Sequence, residues 1–380
     1  MPHQRSEPDA CPGVRSPHSA ADGALARVRL PGGRLTAAQM QVLADAATAL
    51  GNGELELTSR GNIQLRAVDD TDELARRLAG AGLLPSTTHE RIRNVVASPL
   101  TGRVGGLADL RPLTHALDAA LQAHSRLADL PGRILFTLDD GRGDVSGLAG
   151  DFGLHAVDAA RFALLVAGAD TGIRVGITSA VDALVHAAHA FLDLRDGQWR
   201  ASELDSPATA ISARLPYHPG DESLIVPPPS ARPPIGWFDH DTDGRVCLGG
   251  GVQFGVLPAR TAEFLAAVGT PLVVTPWRSL LVTDLDEWTA EQVVRVLAPM
   301  GLVFDENSPV LDVTACAGSP ACSKSHADVR ADARTALESG TLPVAGRQHW
   351  AGCERKCGRP AAAAADVVAT PNGYRLDTAR

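Results

Sequence analysis

The sequence has no run of apolar residues long enough to cross a bilayer, which takes about 20 in a row, although 44% of its 380 residues are hydrophobic. Its opening stretch, MPHQRSEPDACPGVRSPHSA, lacks the apolar block of a secretory signal. These absences predict a cytoplasmic protein with no membrane partner, in a compartment that keeps thiols reduced. Positive charge is not in excess either. The formal net charge of -9 opposes non-specific binding to nucleic acid. No Gly-x-Gly-x-x-Gly follows a strand and opens a helix, so reducing equivalents are expected from a separate electron-donor protein.

Cysteine is also scarce, but four of the six fall in two tight pairs in the last quarter of the chain. Cys316 and Cys322 lie in TACAGSPAC, and Cys353 and Cys357 in GCERKC. Each pair can offer two sulfurs from one turn, as a metal centre with four thiolate ligands requires. Two disulfides or four buried thiols are the plainer alternatives. Zinc is the stronger rival, although its structural pairs usually leave about two to four residues between cysteines and the first loop here is longer. Ala315, Gly318, Ser319, Pro320 and Ala321 keep that loop small enough for backbone to crowd a bulky inorganic core. Cys11 falls in a segment expected to be a disordered lead-in, residues 1–22. Cys247 reads as an ordinary core thiol.

The chain is long enough for two or three domains. A proline-dense stretch within 201–234, LPYHPGDESLIVPPPSARPP, reads as an extended linker between two halves. The halves resemble each other. RVRLPGGRLTAAQMQVLADAATAL, GELELTSRGNIQLRAV and TDELARRLAGAGL in the first correspond to FGVLPARTAEFLAAV, TPLVVTPWRSLLVTDL and EWTAEQVVRVLAPMGL in the second. Each set reads as a strand, a helix opened by a threonine cap, a hairpin and a second helix ending at glycine. The hairpin bends carry Arg60 and Arg278. An internal duplication would set them about a pseudo-twofold axis, facing one cavity. RILFTLDDGRGD and RFALLVAG read as strands, SAVDALVHAAHAFLDL and HADVRADARTALES as helices, and DVVATPNGYRLDT as a closing hairpin.

Arginines gather where turns are expected: Arg27 and Arg29 before LPGG, Arg60 and Arg66 around the bend, Arg91 and Arg93 before NVVASPLTG, then Arg103, Arg111 and Arg133. Strand alternation along ARVRL puts Arg27 and Arg29 on one face. Such a row suits a ligand with many carboxylates, because guanidinium pairs bidentately with them.

RVRLPGG, LTSRGNIQLR, RNVVASPLTG, the C-x5-C segment and the C-x3-C segment GCERKCGRP together resemble the nitrite/sulfite reductase family, in the family's order and over nearly the whole chain after the lead-in. The resemblance implies an α+β duplicated fold. Its parts would be a ferredoxin-like half-domain at 23–90, an α+β cluster/tetrapyrrole domain at 91–200, the linker, a second ferredoxin-like half-domain at 235–305, and a cluster-binding domain at 306–380. It implies a [4Fe-4S] cluster on Cys316, Cys322, Cys353 and Cys357. It also implies tetrapyrrole carboxylates on Arg27, Arg60 and Arg93, with Arg29 and Arg278 as further candidates. Two departures stand out. Where the reductases have a Lys-x-Lys motif, this chain has Arg133, the catalytic candidate, and Leu135. Where they usually have Pro-Asn inside the second cysteine pair, it has Glu354, Arg355 and Lys356. These traits, with TPWR at 275–278, resemble the precorrin-3B synthase branch, whose members hydroxylate precorrin-3A with molecular oxygen and close a lactone in cobalamin biosynthesis. A sirohaem-dependent nitrite or sulfite reductase and a non-catalytic iron–sulfur carrier are the alternatives. A mononuclear iron beside the cluster is a further candidate, with His155, His186, His189, His240, His326 and His349 as nominal ligand types.

Overall fold

The computed structural model describes residues 9–230 and 232–377. The first half-domain runs β1 His18–Ala20, β2 Gly23–Val28, β3 Arg34–Leu35, α1 Ala37–Leu50, β4 Glu54–Leu57, β5 Ile63–Val68 and α2 Thr71–Gly80. An α/β module follows: β6 Val95–Ala97, α3 Arg111–Ala123, β7 Phe136–Asp139, β8 Phe152–Ala156, β9 Arg161–Val166, β10 Ala169–Gly176, α4 Ala180–Leu194 and α5 Pro207–Ser212. The second half-domain is β11 Gly236–Asp239, β12 Val246–Val252, β13 Val256–Pro258, α6 Ala259–Ala267, β14 Leu272–Val274, β15 Ser279–Leu285, α7 Glu287–Leu297 and β16 Leu302–Val303. The last module is β17 Val313–Ala315, α8 Val329–Ser339, β18 Gln348–Ala351, β19 Ala365–Thr370 and β20 Gly373–Asp377.

The duplication is visible in the pairing. The first sheet is ordered β1-β2-β5-β4-β13 and its counterpart β11-β12-β15-β14-β3. Each half-domain therefore lends one short strand to the other. Leu35 of β3 pairs with Leu272, and Leu257 of β13 pairs with Leu55. Helices α1 and α6 pack together, and one continuous core joins Leu43, Ala47, Ala262 and Leu265. The two modules repeat as well. In β6-β7-β8-β9 and in β17-β18-β19-β20, two parallel pairings are followed by an antiparallel one.

Local sequence accounts for most element ends. Thr36 caps α1 in a capping box with Gln39, and Asp70, Asp286 and Asp328 cap α2, α7 and α8. The expected threonine cap in the second half is not formed. Helix α6 begins at Ala259 directly after Pro258, whose ring fixes the entry angle, and Thr261 is buried inside it. The expected lead-in also needs correction. Residues 1–8 lie outside the described residues, but Cys11, Gly13 and Val14 are buried, and β1 extends the first sheet. The linker begins later than 201: Ala201, Ile211 and Leu215 belong to the core of the first module.

The PGG turn between β2 and β3 closely approaches the end of β14. Gly33 has φ 71, and a Cβ there would lie 1.9 Å from the Val274 carbonyl oxygen. Only glycine lets the PGG turn reach that backbone.

Candidate functional site

The cysteine loops spring from the carboxyl ends of parallel strands. Cys316 follows β17 and Cys353 lies just beyond β18. The loops are tied together: Cys316 N donates to the Trp350 carbonyl at 3.0 Å, and Gly352 N donates to Cys316 Sγ at 3.1 Å. Position 352 is crowded: a Cβ there would lie 2.0 Å from Ser325 Oγ, so Ser325 would have to move. None of the four thiols is in a disulfide, and all four line one cavity of about 760 Å³. No three of these sulfurs lie within 4.8 Å of one another; among the described residues only Asp139, Asp140 and Asp144 bring three ligand atoms that close. A single zinc ion holds its sulfurs at about 2.3 Å, which demands a tighter set.

A second lobe of about 240 Å³ adjoins the first. It is lined by both hairpin bends, Ser59 and Arg60 from one and Pro276, Trp277 and Arg278 from the other, and by Leu135 and Arg200. Ser59, Phe254 and Arg278 line both lobes and so mark where they join. No hydrogen bond or ion pair holds the Arg60 guanidinium among the described residues. Burial, and then the nearby charge of Arg200, bring it down to about 10. Burial also lowers Arg278, which has φ 58, a left-handed conformation uncommon for any residue but glycine. Its Nη2 donates to the carbonyl of Gly358, the residue after Cys357. Arg27 lines the thiol lobe and donates through Nε to Gln64 Oε1 at 2.8 Å.

Other predicted residues lie elsewhere. Arg27, Arg60 and Arg93 do not converge on one cavity. Arg93 makes a bidentate pair with Asp118 of α3, at 2.6 and 2.8 Å, and with Arg29 lines a separate cavity of about 600 Å³. A buried guanidinium keeps its charge most cheaply beside a carboxylate, and Asp118 supplies one. Arg133 does not face either lobe. It is 51% exposed, reaches Asp9 at 3.4 Å, and lies 4.8 Å over the Trp199 ring. Leu135 is the member of that pair that faces the second lobe.

None of the six histidines named as iron ligand types lines either lobe. His189 meets His124 at 3.3 Å, His186 stacks near Tyr217, His155 meets Ser146 at 2.9 Å, and His240 contacts Asp243. His349 is fully buried with its Nδ1 2.9 Å from Thr314 Oγ1. Burial, then the charge of Arg278, bring it down to about 4, so it is neutral at physiological pH.

Two residues that tie the thiol loops to the first sheet were not singled out for that role. Arg66 bridges Asp22 and the Ala321 carbonyl, both at 2.9 Å. Arg330 bridges Glu56 at 2.6 Å and the Cys316 carbonyl at 3.1 Å. Their partners are distant in sequence, so only Arg66, at its hairpin, carried any local signal. In the first module, the loops equivalent to the cysteine loops are bridged by acids instead. Ser98 Oγ donates to Asp144 at 2.6 Å, and Asp139 accepts from Ser146 Oγ at 2.7 Å.

The described residues contain no helix long and apolar enough to cross a membrane. Residues 18–81 match the nitrite/sulfite reductase ferredoxin-like half domain. The chain is 28% identical to a precorrin-3B synthase from a Sinorhizobium species, over 97% of this chain and 82% of that protein. It is 25% identical to the chloroplastic ferredoxin–nitrite reductase of Spinacia oleracea, over 88% of this chain and 64% of that one. The solved structure of the Mycobacterium tuberculosis NirA protein superposes with a TM-score of 0.76 at 18% identity, covering 93% of this chain and 74% of the other. With its exchanged, duplicated half-domains and paired-cysteine loops, the chain has the nitrite/sulfite reductase fold, and residues 18–81 match the ferredoxin-like half domain of that family.

Proposed function

We propose that this protein is an iron–sulfur oxidoreductase that hydroxylates precorrin-3A with molecular oxygen and closes a lactone, giving precorrin-3B. The observation that carries this reading is the two-lobed cavity: four thiols and Arg27 in one lobe, the half-buried guanidiniums of Arg60 and Arg278, without an acid partner among the described residues, in the other, and Arg278 common to both. Cys316, Cys322, Cys353 and Cys357 would hold a [4Fe-4S] cluster, which supplies one-electron transfer when bound. Arg27, Arg60 and Arg278 would pair with acetate and propionate groups of the macrocycle. The neutral wall at Leu135 leaves a large polycarboxylate unhindered. It offers no cation to a small oxyanion whose bonds to oxygen are being broken. Arg133 does not replace that cation, because it is turned to the surface and an arginine releases no proton readily. Monooxygenation balances when one oxygen atom enters the product and the other leaves as water with two electrons and two protons. The electrons would come from a separate donor protein.

The relatedness to ferredoxin–nitrite reductases favours one second reading, a sirohaem-dependent reductase. Turnover separates the two. Reduced protein given precorrin-3A in air should form the hydroxylated lactone and should reduce nitrite and sulfite poorly. Bound sirohaem, seen as strong visible bands, with steady anaerobic sulfite or nitrite reduction would establish the reductase instead.

A further inference from the structure

We propose that Asp9–Pro12 is a built-in occupant of the guanidinium cluster that begins at Arg27 on the thiol lobe, a strap that holds Arg27, Arg29 and Arg91 while no polycarboxylate is bound and withdraws when one binds. This deepens the tetrapyrrole reading and rests on it.

Four arginines from three separated segments meet this short stretch. Arg27 Nη1 and Arg29 Nη2 lie 3.5 and 3.4 Å from Cys11 Sγ. Arg29 Nη2 also donates to the Pro12 carbonyl at 3.0 Å, Arg91 Nη1 to the Asp9 carbonyl at 3.0 Å, and Arg133 Nε approaches Asp9 Oδ1 at 3.4 Å. The acceptors are poor ones. Sulfur and main-chain carbonyls carry no full charge, and the one carboxylate accepts from Cys11 N at 3.1 Å and meets a half-exposed arginine only at 3.4 Å. The fit is also incomplete: Arg29 Nη1 and Asp9 Oδ2 are buried without a hydrogen-bond partner, which costs free energy at both atoms. Arg29 is only 3% exposed. Burial, and then the like charge of Arg27, pull it down to about 9, so its positive field is poorly answered. A ligand carboxylate can give a guanidinium two parallel, charge-assisted bonds, which a thiol cannot.

The strap has a natural pivot. Val14 is in the core; its N–H and that of Arg15 donate to Glu90 at 2.9 and 3.0 Å. Arg27 N donates to the Gly13 carbonyl. The chain from Gly13 onward is therefore pinned, and among the described residues only Asp9–Pro12 need to move.

The test uses the full chain and a double variant, Asp9→Ala with Cys11→Ala. The probe is uroporphyrin III, an octacarboxylate tetrapyrrole, titrated by absorbance. Alkylation of Cys11 by iodoacetamide is followed by peptide mass spectrometry with and without the probe. The variant is expected to bind about tenfold more tightly, as losing one competing contact implies, and the probe is expected to speed Cys11 alkylation in the parent by a similar factor. Equal affinities with Cys11 still protected would overturn the strap and leave the polycarboxylate reading standing. No binding by either protein would remove that reading and the strap with it. Should the variant fail to fold, the alkylation of the parent still decides.

Discussion

Cys357 is the exposed member of the four paired thiols, and the others are half-buried. It shares its lobe with Arg278, which joins the thiol and arginine lobes. Cys357→Ser should lose the brown colour and nearly all bound iron and sulfide; full retention of both would sink the ligand assignment. Arg60→Ala removes a guanidinium with no acid partner among the described residues, so its effect should fall on ligand binding and not on stability. The loss expected for one charge-assisted contact is about 1.5–3 kcal/mol, read by titration with a tetrapyrrole polycarboxylate, with an unchanged thermal midpoint. Asp144 carries a pH dependence. Burial, then the charge of Asp139, push its carboxyl up to about 7, against an unfolded value near 3.9. Between about pH 4 and 7 the folded protein holds a proton that the unfolded chain has released, so this contribution is complete below that window and is lost as pH rises through it. Asp144→Asn removes the titration. Its midpoint relative to the parent should therefore rise from about pH 4 to about pH 7, and a constant difference across that range would contradict the assignment.

At the scale of the element, the hairpins and helices were readable because their signals are local. Thr36 and Gln39, the alternation in LELTSRGNIQLR, and the Pro-Asn-Gly turn before β20 need no distant partner. The second-half helix cap was misread because Thr261 looked like Thr36 while Pro258 had already set the helix start. The exchanged strands β3 and β13 are two and three residues long, too short to show a period. The PGG turn beside β3 gives a sharp prediction. Gly33→Ala places a methyl group against the Val274 carbonyl at a positive φ, and should cost on the order of 2 kcal/mol or more. Urea denaturation measures this, and an unchanged midpoint would show that the turn can draw back from β14 without penalty.

For the whole molecule, strand exchange and the shared α1–α6 core make the two half-domains one cooperative unit. Residues 18–90 expressed alone would expose β4 without β13 and the apolar face of α1 without α6. That fragment should show no sigmoidal unfolding transition, whereas the intact chain should melt both half-domains together in calorimetry. A fragment that unfolds cooperatively near the midpoint of the intact chain would mean that the exchange contributes little.

The cysteine spacing, the repeated strand–helix–hairpin order and the two arginine-bearing bends are written in short stretches of sequence, and each survives in the folded chain because turn chemistry and side-chain periodicity act over a few residues. Where a side chain points is another matter. Arg93 and Arg60 look alike in sequence, yet Asp118 of α3 draws one away while nothing of opposite charge claims the other. Arg133 and Leu135 divide between surface and cavity, and the segment around Cys11, polar and proline-containing, is ordered by Arg27, Arg29, Arg91 and Glu90. Those choices depend on which distant charge lies within a few ångströms, and only tertiary packing brings such partners together.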